Sequence, residues 1–421
     1  MLAACKSDHR KESNVPVVER ASVPVSAWIG RDDTLLSFAG NISGFSLYRS
    51  GHSHCQVSSD GVCRGEQLGL LKDGTVTDTA ATWTSTAYYT LTHENQKATL
   101  ELRAASAAEF AGRALHELVV WQDRLWLIAG HTSAGDSNDL WSSRDGIHWQ
   151  LETANAAFSP RAGHQVVVYK NRLWLIGGSS NGKIMNDVWS SKDGINWSLE
   201  AADAGFSPRA YHQVVVYRDQ LWLVGGRTGT LANKNGELVG MANDVWSSGD
   251  GIHWLQQSAQ AAFLPRMTHH LIVYRNQLWL MGGFNMSDFG EVWSSQDGIN
   301  WTEVAKAEFG FRNHSTLVAY DDRLWMIGGS TLDRSQGGDS ALRSDVWSSS
   351  DGIHWQQRTA EAGFDPRWGL RAVNFKQQIM VIGGDLSSGA KGVAMQGQND
   401  IWSTSNGTDW RLGFAGRFEF H

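Results

Sequence analysis

Six arginines recur in the second part of the sequence, each at the start of a similar segment. They are Arg113, Arg161, Arg209, Arg266, Arg312 and Arg367. A guanidinium group is permanently charged and carries a planar fork of N–H donors, which suits a carboxylate, phosphate or sulfate. If the segments fold alike, the six groups surround one point, and the sequence predicts an anion-binding site there.

The three residues after each arginine differ between copies, and a ligand site needs such asymmetry. Four copies have histidine at the third position, where we expect bonding to a neighbouring unit rather than metal ligation. These residues are His116, His164, His212 and His269. The residues that break the pattern are Tyr211, Met267, His314 and Trp368. They complete the predicted ligand-binding set, in which no catalytic residue is assigned.

Each arginine opens a unit with fixed internal spacing. A Gly pair ends 17 residues after the arginine, as from Arg161 to Gly178, and two tryptophans eight residues apart follow, as at Trp189 and Trp197. Only the link between the Gly pair and the first tryptophan varies in length, so insertions are confined to one loop per unit. The long loops span 227–242, 330–343 and 385–398. We expect them to lie on the face that carries the arginines.

The unit has the signature of four β-strands. Val166-Val-Val-Tyr169 and Leu173-Trp-Leu-Ile176 are β-branched and aromatic, and a short polar turn separates them. Asp193-Gly194 and its counterparts mark a second hairpin, so we interpret these aspartates as turn residues rather than catalytic groups. One such sheet cannot bury both faces alone, and radial stacking of six sheets forms a β-propeller. The recurring tryptophans are then expected in the core.

The Gly pair followed by two spaced tryptophans resembles kelch repeats, and six consecutive copies cover residues 113–413. The resemblance implies an all-β, six-bladed kelch β-propeller over residues 106–421, with the Val-rich strand innermost. It leaves two roles open for the arginines at the channel mouth. They bind a ligand, or each bridges neighbouring blades by bonding carbonyl groups.

Residues 22–105 lack the repeat and contain alternating segments typical of a small β-sandwich. Segments such as Gly44-Phe-Ser-Leu-Tyr-Arg-Ser50 resemble strands of a fibronectin type III domain. Cys55 and Cys63 flank a polar loop at a spacing that a disulfide can close. That pairing predicts an oxidising compartment.

Residues 1–21 are interpreted as a tether with a lipidation site. Leu2-Ala-Ala-Cys5 resembles the lipobox of bacterial lipoproteins, in which the cysteine thiol takes the lipid. The apolar segment that normally precedes a lipobox is missing here. In the alternative interpretation, Cys5 is an ordinary thiol in a disordered N-terminal segment. The resemblance implies the bacterial cell envelope, either the periplasm or the cell surface, with membrane contact only through the lipid anchor.

Composition and missing motifs exclude several function classes. The net charge of −7 gives no electrostatic reason to bind nucleic acid. Copper radical oxidases of the galactose oxidase type need a cysteine crosslinked to a tyrosine, and the repeats contain no cysteine. A His-Glu-x-x-His zinc motif and a phosphate-binding loop are also missing. No metal or other cofactor is implied.

Taken together, these features predict an exported binding protein that uses the loop face of its propeller to recognise a glycan or protein partner. The alternative is a kelch-type enzyme acting on an acidic sugar, similar to a sialic acid mutarotase or epimerase. Such a step needs only an arginine, a histidine and a carboxylate around a pocket.

Overall fold

The computed structural model describes residues 108–413, apart from 230–239, 285–289, 334–338 and 388–393. Before residue 104, at 332–333 and 339–340, and after residue 413, it describes only the backbone of strands. In this described part the chain is all-β, and no helix there is long and apolar enough to cross a membrane. Each repeat contributes four antiparallel strands, which confirms the six-bladed propeller.

The blades are numbered 1 to 6 along the chain, and the strands of each are inner, second, third and outer. The inner strands are Glu117–Trp121, Gln165–Tyr169, Gln213–Tyr217, His270–Tyr274, Thr316–Tyr320 and Arg371–Phe375. The second strands are Arg124–Thr132, Arg172–Ser180, Gln220–Arg227, Gln277–Met281, Arg323–Asp333 and Gln378–Ile382. The third strands are Gly135–Ser143, Lys183–Ser191, Met241–Ser248, Glu291–Ser295, Asp339–Ser349 and Ile401–Thr404. The outer strands are Trp149–Thr153, Trp197–Ala201, Leu255–Ser258, Thr302–Lys306, Gln356–Thr359 and Arg411–Phe420.

The turns inside a blade follow from local sequence. The inner and second strands are joined by two residues that both have positive φ, such as Lys170 at 48° and Asn171 at 57°, as a tight twisted hairpin requires. The Gly pair makes a bulge in the second strand. A Cβ on Gly178 would lie 2.7 Å from that of His164, so a side chain does not fit there.

The backbone of each leading arginine links neighbouring blades. The Arg161 N–H donates to the Ser137 carbonyl in blade 1, and the Arg161 carbonyl accepts from Gly130 N–H in the same blade. Between blade 6 and blade 1, Gly384 N–H donates to the Arg113 carbonyl at 2.8 Å, and the two inner strands are in contact. The ring therefore closes through contacts between the first and last blades, without a blade shared between the two ends of the repeat region.

The last strand joins the propeller to the N-terminal strands. Arg411–Phe420 is the outer strand of blade 6, and its residues 411–419 pair antiparallel with Ser22–Gly30. Its end also pairs with Thr99 and Ala98. The sheet of blade 6 thus continues into the preceding module.

Within the residues that the structure describes, the N-terminal module contributes nine strands of two to nine residues. They are Ser22–Gly30, Leu35–Ala39, Ser46–Ser50, Gln56–Val57, Cys63–Arg64, Glu66–Leu70, Thr75–Thr77, Thr86–His93 and Gln96–Arg103. The fibronectin-like assignment stays a prediction. Cys5, Cys55 and the Cys63 side chain lie outside the described residues, so the predicted lipidation and disulfide stay predictions as well.

The core lies between and within the blades, as the tryptophans predict. In blade 2, Phe158 meets the rings of Trp189 and Trp197 edge to face, at centroid distances of 6.3 and 5.4 Å. The outer-strand Trp197 is buried, whereas Trp189 is half-buried, and its indole N–H bonds to Asp187 at 2.7 Å. Trp126 of blade 1 packs against the turn glycine of blade 2, Gly194.

Candidate functional site

The six leading arginines are buried inside their own blades. In blade 2, the Arg161 guanidinium forms a bidentate pair with Asp187, with both N–O distances at 2.9 Å. It also donates to the Gly177 carbonyl at 2.9 Å and the Ser159 carbonyl at 3.0 Å, and lies over the Phe158 ring. The carboxylate partners in the other blades are Asp139, Asp244, Glu291, Asp345 and Asp400.

This arrangement argues against the predicted ligand-binding role of the arginines. All six are 0–2% exposed, and their N–H groups bond within the blade, apart from Arg312 Nε, which has no partner among the described residues. The alternative expectation, that the guanidinium groups bridge blades through carbonyls, also differs from the structure. Bridging is done by the arginine backbone, while the side chain ties the inner edge of a blade to its third strand.

A ring of backbone hydrogen bonds encircles one mouth of the central channel. The second residue after each arginine has a left-handed backbone, with φ between 46° and 67°. The six ring residues are Leu115, Gly163, Tyr211, Thr268, His314 and Gly369. Five of these residues donate their N–H to the carbonyl of the ring residue in the preceding blade, at 2.8–3.2 Å. No such bond joins His314 to Thr268 in the described part of the chain, so the ring is open between blades 4 and 5.

Three of the four pattern-breaking residues meet at this mouth. The His314 ring contacts Trp368 and Tyr211 edge to face, at centroid distances of 5.0 and 6.1 Å. The Trp368 indole donates to the Ser387 carbonyl at 2.9 Å. Met267 does not join them, because it pairs with Phe284 and its side chain is buried.

A recess opens beside this aromatic group. Its polar lining includes Gln165, Gln213, His270, Ser315 and Arg371, together with the ring residues Tyr211, Thr268 and His314. The first residues of the inner strands were not predicted from the sequence to belong to the site. Their variety was the available signal, because the six blades carry Glu117, Gln165, Gln213, His270, Thr316 and Arg371 there.

Arg371 is the cation of the recess. Its Nε donates to the His116 carbonyl at 3.0 Å and its Nη2 to Glu117 Oε1 at 2.5 Å, both across the blade 6 to blade 1 seam. Gln165 donates to the same carboxylate at 2.9 Å. Nη1 has no hydrogen bond to any described residue, and the side chain is 20% exposed. Burial raises the pKa of Glu117, and the charge of Arg371 opposes that shift.

The histidines of the recess are neutral near pH 7. Burial, reinforced by the charge of Arg371, lowers the pKa of His270 to about 3 and that of His314 to about 4. His270 Nε2 lies 2.7 Å from Ser315 Oγ, a hydrogen bond from blade 4 to blade 5.

The four histidines at the third position after the arginine are buried and pack across blade seams. The ring of His212, for example, lies over Gly177 of blade 2. Three of them face the backbone of the preceding blade, His164 at Ile128, His212 at Ile176 and His269 at Val224, but no ring nitrogen has a partner with full hydrogen-bond geometry in the described residues. Burial holds their pKa values well below the usual range. No group of three histidine, cysteine or acidic side chains suited to a metal occurs among the described residues.

The variable loops leave from the same end of the blades as the recess. The residue after each arginine from Arg161 onwards pairs with a second-strand residue just beyond the Gly pair, as Trp368 does with Asp385. The buried Asp385 carboxylate accepts hydrogen bonds from the N–H groups of Ser387 and Gln396. It thereby holds the two ends of the loop over 385–398 together, although the middle of that loop lies outside the described residues.

Comparison with known proteins agrees with this geometry. The family described as the KLHDC2/KLHL20/DRC7 Kelch-repeats domain matches residues 79–226 and 150–329, which together span more than half of the chain. The chain belongs to the kelch-repeat family. The kelch propeller also resembles a solved structure titled "Structure of YjhT", with a TM-score of 0.56 and 13% sequence identity. That alignment covers 72% of this chain and 98% of the other, and at this identity it supports the fold alone. No curated protein matches the sequence.

Proposed function

We propose that this kelch protein binds a glycan unit that carries an acid group, in the recess at its channel mouth. The observation that carries the proposal is the position of Arg371, which has Nη1 unengaged by the described residues and lines the recess. A guanidinium held on one side by Glu117 presents its other N–H groups to an incoming carboxylate or sulfate.

The rest of the recess supports a sugar rather than a plain anion. Gln165, Gln213 and Ser315 supply amide and hydroxyl groups, and Tyr211 supplies an aromatic ring with a polar tip. If no sugar binds, the function that remains is recognition of a protein partner by the surrounding loops.

A catalytic role on an acidic sugar is the second candidate. Arg371 and His270 line the recess, and Glu117 lies behind Arg371 as its ion-pair partner, so an arginine, a histidine and a carboxylate for a mutarotase-like or epimerase-like step are close together. A general base works best with a pKa near the working pH, however, and the pKa of His270 is about 3. The low pKa favours binding over acid–base catalysis.

The cellular location is proposed from the sequence alone. We place the protein in the bacterial cell envelope, attached through Cys5, with no nucleic acid partner. Mass spectrometry of the protein produced in a bacterial host from an upstream start would detect lipid on Cys5. An unmodified thiol would contradict the anchor.

The proposed function can be tested by thermal shift with N-acetylneuraminate, glucuronate, sulfated glycans and neutral oligosaccharides. A ligand that binds the folded state raises the melting temperature, and we expect this only with the acidic compounds. The variant Arg371→Gln combined with Glu117→Gln removes both charges and should abolish the shift. Arg275→Ala, in a hairpin at the other end of the blades, is the control. If the double variant shows the same shift in melting temperature as the wild type, the proposed site is wrong. If the wild type shows no shift with any of these compounds, recognition of a protein partner becomes the working function.

A further inference from the structure

Thr268 holds a backbone conformation that threonine rarely adopts. Its φ of 55° lies in the left-handed region, where a β-branched side chain is crowded. Two other blades place glycine at the same ring position, Gly163 and Gly369. The ring geometry therefore does not require a side chain at this position, and blade 4 keeps a threonine there despite the strain.

The hydroxyl of Thr268 has no partner in the described part of the molecule. The residue is 8% exposed, and Oγ1 is buried without a hydrogen bond. A buried hydroxyl left unpaired is destabilising, so a native protein normally pairs it with another protein group, with water or with a ligand. Thr268 also lines the recess, so its unpartnered hydroxyl is buried at the edge of the space proposed for the ligand.

The same seam is where the backbone ring is open. The His314 N–H and the Thr268 carbonyl do not bond to each other, whereas five equivalent pairs do. His270 and Ser315 face each other across this seam. Thr268 and Ser315 are uncharged, and burial keeps His270 and His314 neutral near neutral pH. The seam thus offers neutral donors and acceptors to a ligand.

We propose that the seam between blades 4 and 5 is a subsite that binds a hydroxyl group of the ligand through Thr268 Oγ1. This inference rests on the proposed function, because the same ligand places its acid group on Arg371. The two contacts together select acids that carry hydroxyl groups and discriminate against plain carboxylates. Strain at Thr268 is retained because the side chain is needed for recognition.

The test is isothermal titration calorimetry with N-acetylneuraminate, glucuronate and the hydroxyl-free cyclohexanecarboxylate. Thr268→Val keeps the shape and removes the hydroxyl, and it should weaken the sugar acids about five- to tenfold while leaving cyclohexanecarboxylate unchanged. Thr268→Ser keeps the hydroxyl and should stay within about twofold of the wild type. Thr268→Gly should weaken binding of the sugar acids as much as Thr268→Val does. Its melting temperature should stay the same or rise, because glycine accepts a positive φ.

The outcomes separate the inference from the function on which it rests. If the wild type binds the sugar acids and Thr268→Val binds them equally well, the subsite is wrong and the proposed function stands. Tighter wild-type binding of cyclohexanecarboxylate than of either sugar acid would also overturn the subsite. If none of the three acids binds the wild type, the proposed function fails and the subsite fails with it.

Discussion

Arg371 of the last blade donates to the Glu117 carboxylate of the first blade at 2.5 Å, so the ends of the repeat region are joined by an ion pair inside the channel. Glu117 is 7% exposed, and Arg371 is the recess residue with an N–H left for a ligand. Ring closure and the proposed ligand binding therefore involve the same side chain.

Removing this pair should destabilise the ring. Glu117→Ala leaves the Arg371 charge without its partner, and we expect a loss of about 1–3 kcal/mol in the free energy of unfolding, measured by denaturant titration. The control is Asp322→Ala, which breaks the exposed pair with Arg275 and should cost about 0–1 kcal/mol. Equal effects of the two substitutions would mean that Glu117 does not hold the seam.

The pair between Arg161 and Asp187 should matter for stability and not for ligand binding. Asp187→Ala leaves a buried guanidinium unpaired and deprives the Trp189 indole of its acceptor, so we expect a loss of about 3–5 kcal/mol. Any ligand affinity measured on the folded fraction should be unchanged. A variant of normal stability that no longer bound an acidic sugar would return the leading arginines to the binding site.

The turn glycine of blade 2 is fixed by two constraints. Gly194 has φ of 80°, and a Cβ there would lie 2.4 Å from the Trp126 ring of blade 1. Gly194→Ala should therefore cost about 2–4 kcal/mol, through backbone strain together with a displaced core side chain. Gly182 has φ of 82° and open space around it, so Gly182→Ala isolates the strain at about 1–2 kcal/mol. Thermal melting of the two variants should separate the two contributions.

Stability should fall as the pH drops below the pKa of histidine in an unfolded chain, about 6.5. Burial holds the pKa values of His116, His164, His212 and His269 well below that value, so the unfolded state takes up protons that the folded state does not. Each buried histidine then removes up to about 1.4 kcal/mol per pH unit.

His212→Leu tests this pH dependence, because blade 6 already has a leucine, Leu370, at the equivalent position. The difference in unfolding free energy between pH 8 and pH 5 should be smaller in this variant than in the wild type. Exposed His354, whose pKa is raised by Asp351, provides the control substitution and should not reduce the difference. An unchanged pH dependence in His212→Leu would mean that this ring does take up a proton in the folded state.

The propeller could be predicted because its signals are local and repeated. The Gly pair at a fixed distance from each arginine determines the bulge at Gly178, and Asp193-Gly194 determines the second turn. The carboxylate partner of Arg161 could also be predicted, since every copy has an acidic residue two positions before the third-strand tryptophan, as Asp187 is before Trp189. The repetition of both residues indicates a pair, whereas ligand binding and the bridging of blades through carbonyls were the two roles predicted for the arginines.

The recess could not be derived in the same way. Arg371, His270 and Thr268 are brought together by the closure of six blades around one axis, and their separation along the chain carries no sign of it. Threonine does not favour a left-handed backbone, so the sequence gives no local signal for this conformation at Thr268, which the ring of hydrogen bonds imposes.

The shared sheet of blade 6 has a mechanical consequence. Ser22–Gly30 runs antiparallel to residues 411–419, and tension applied before Ser22 is resisted at Arg411, where the last strand enters its blade. The load then acts along the strands, from one end of the overlap to the other. Nine residue pairs share it as shear instead of opening one after another. A pull from the N-terminal side is thus borne by a nine-residue strand pairing.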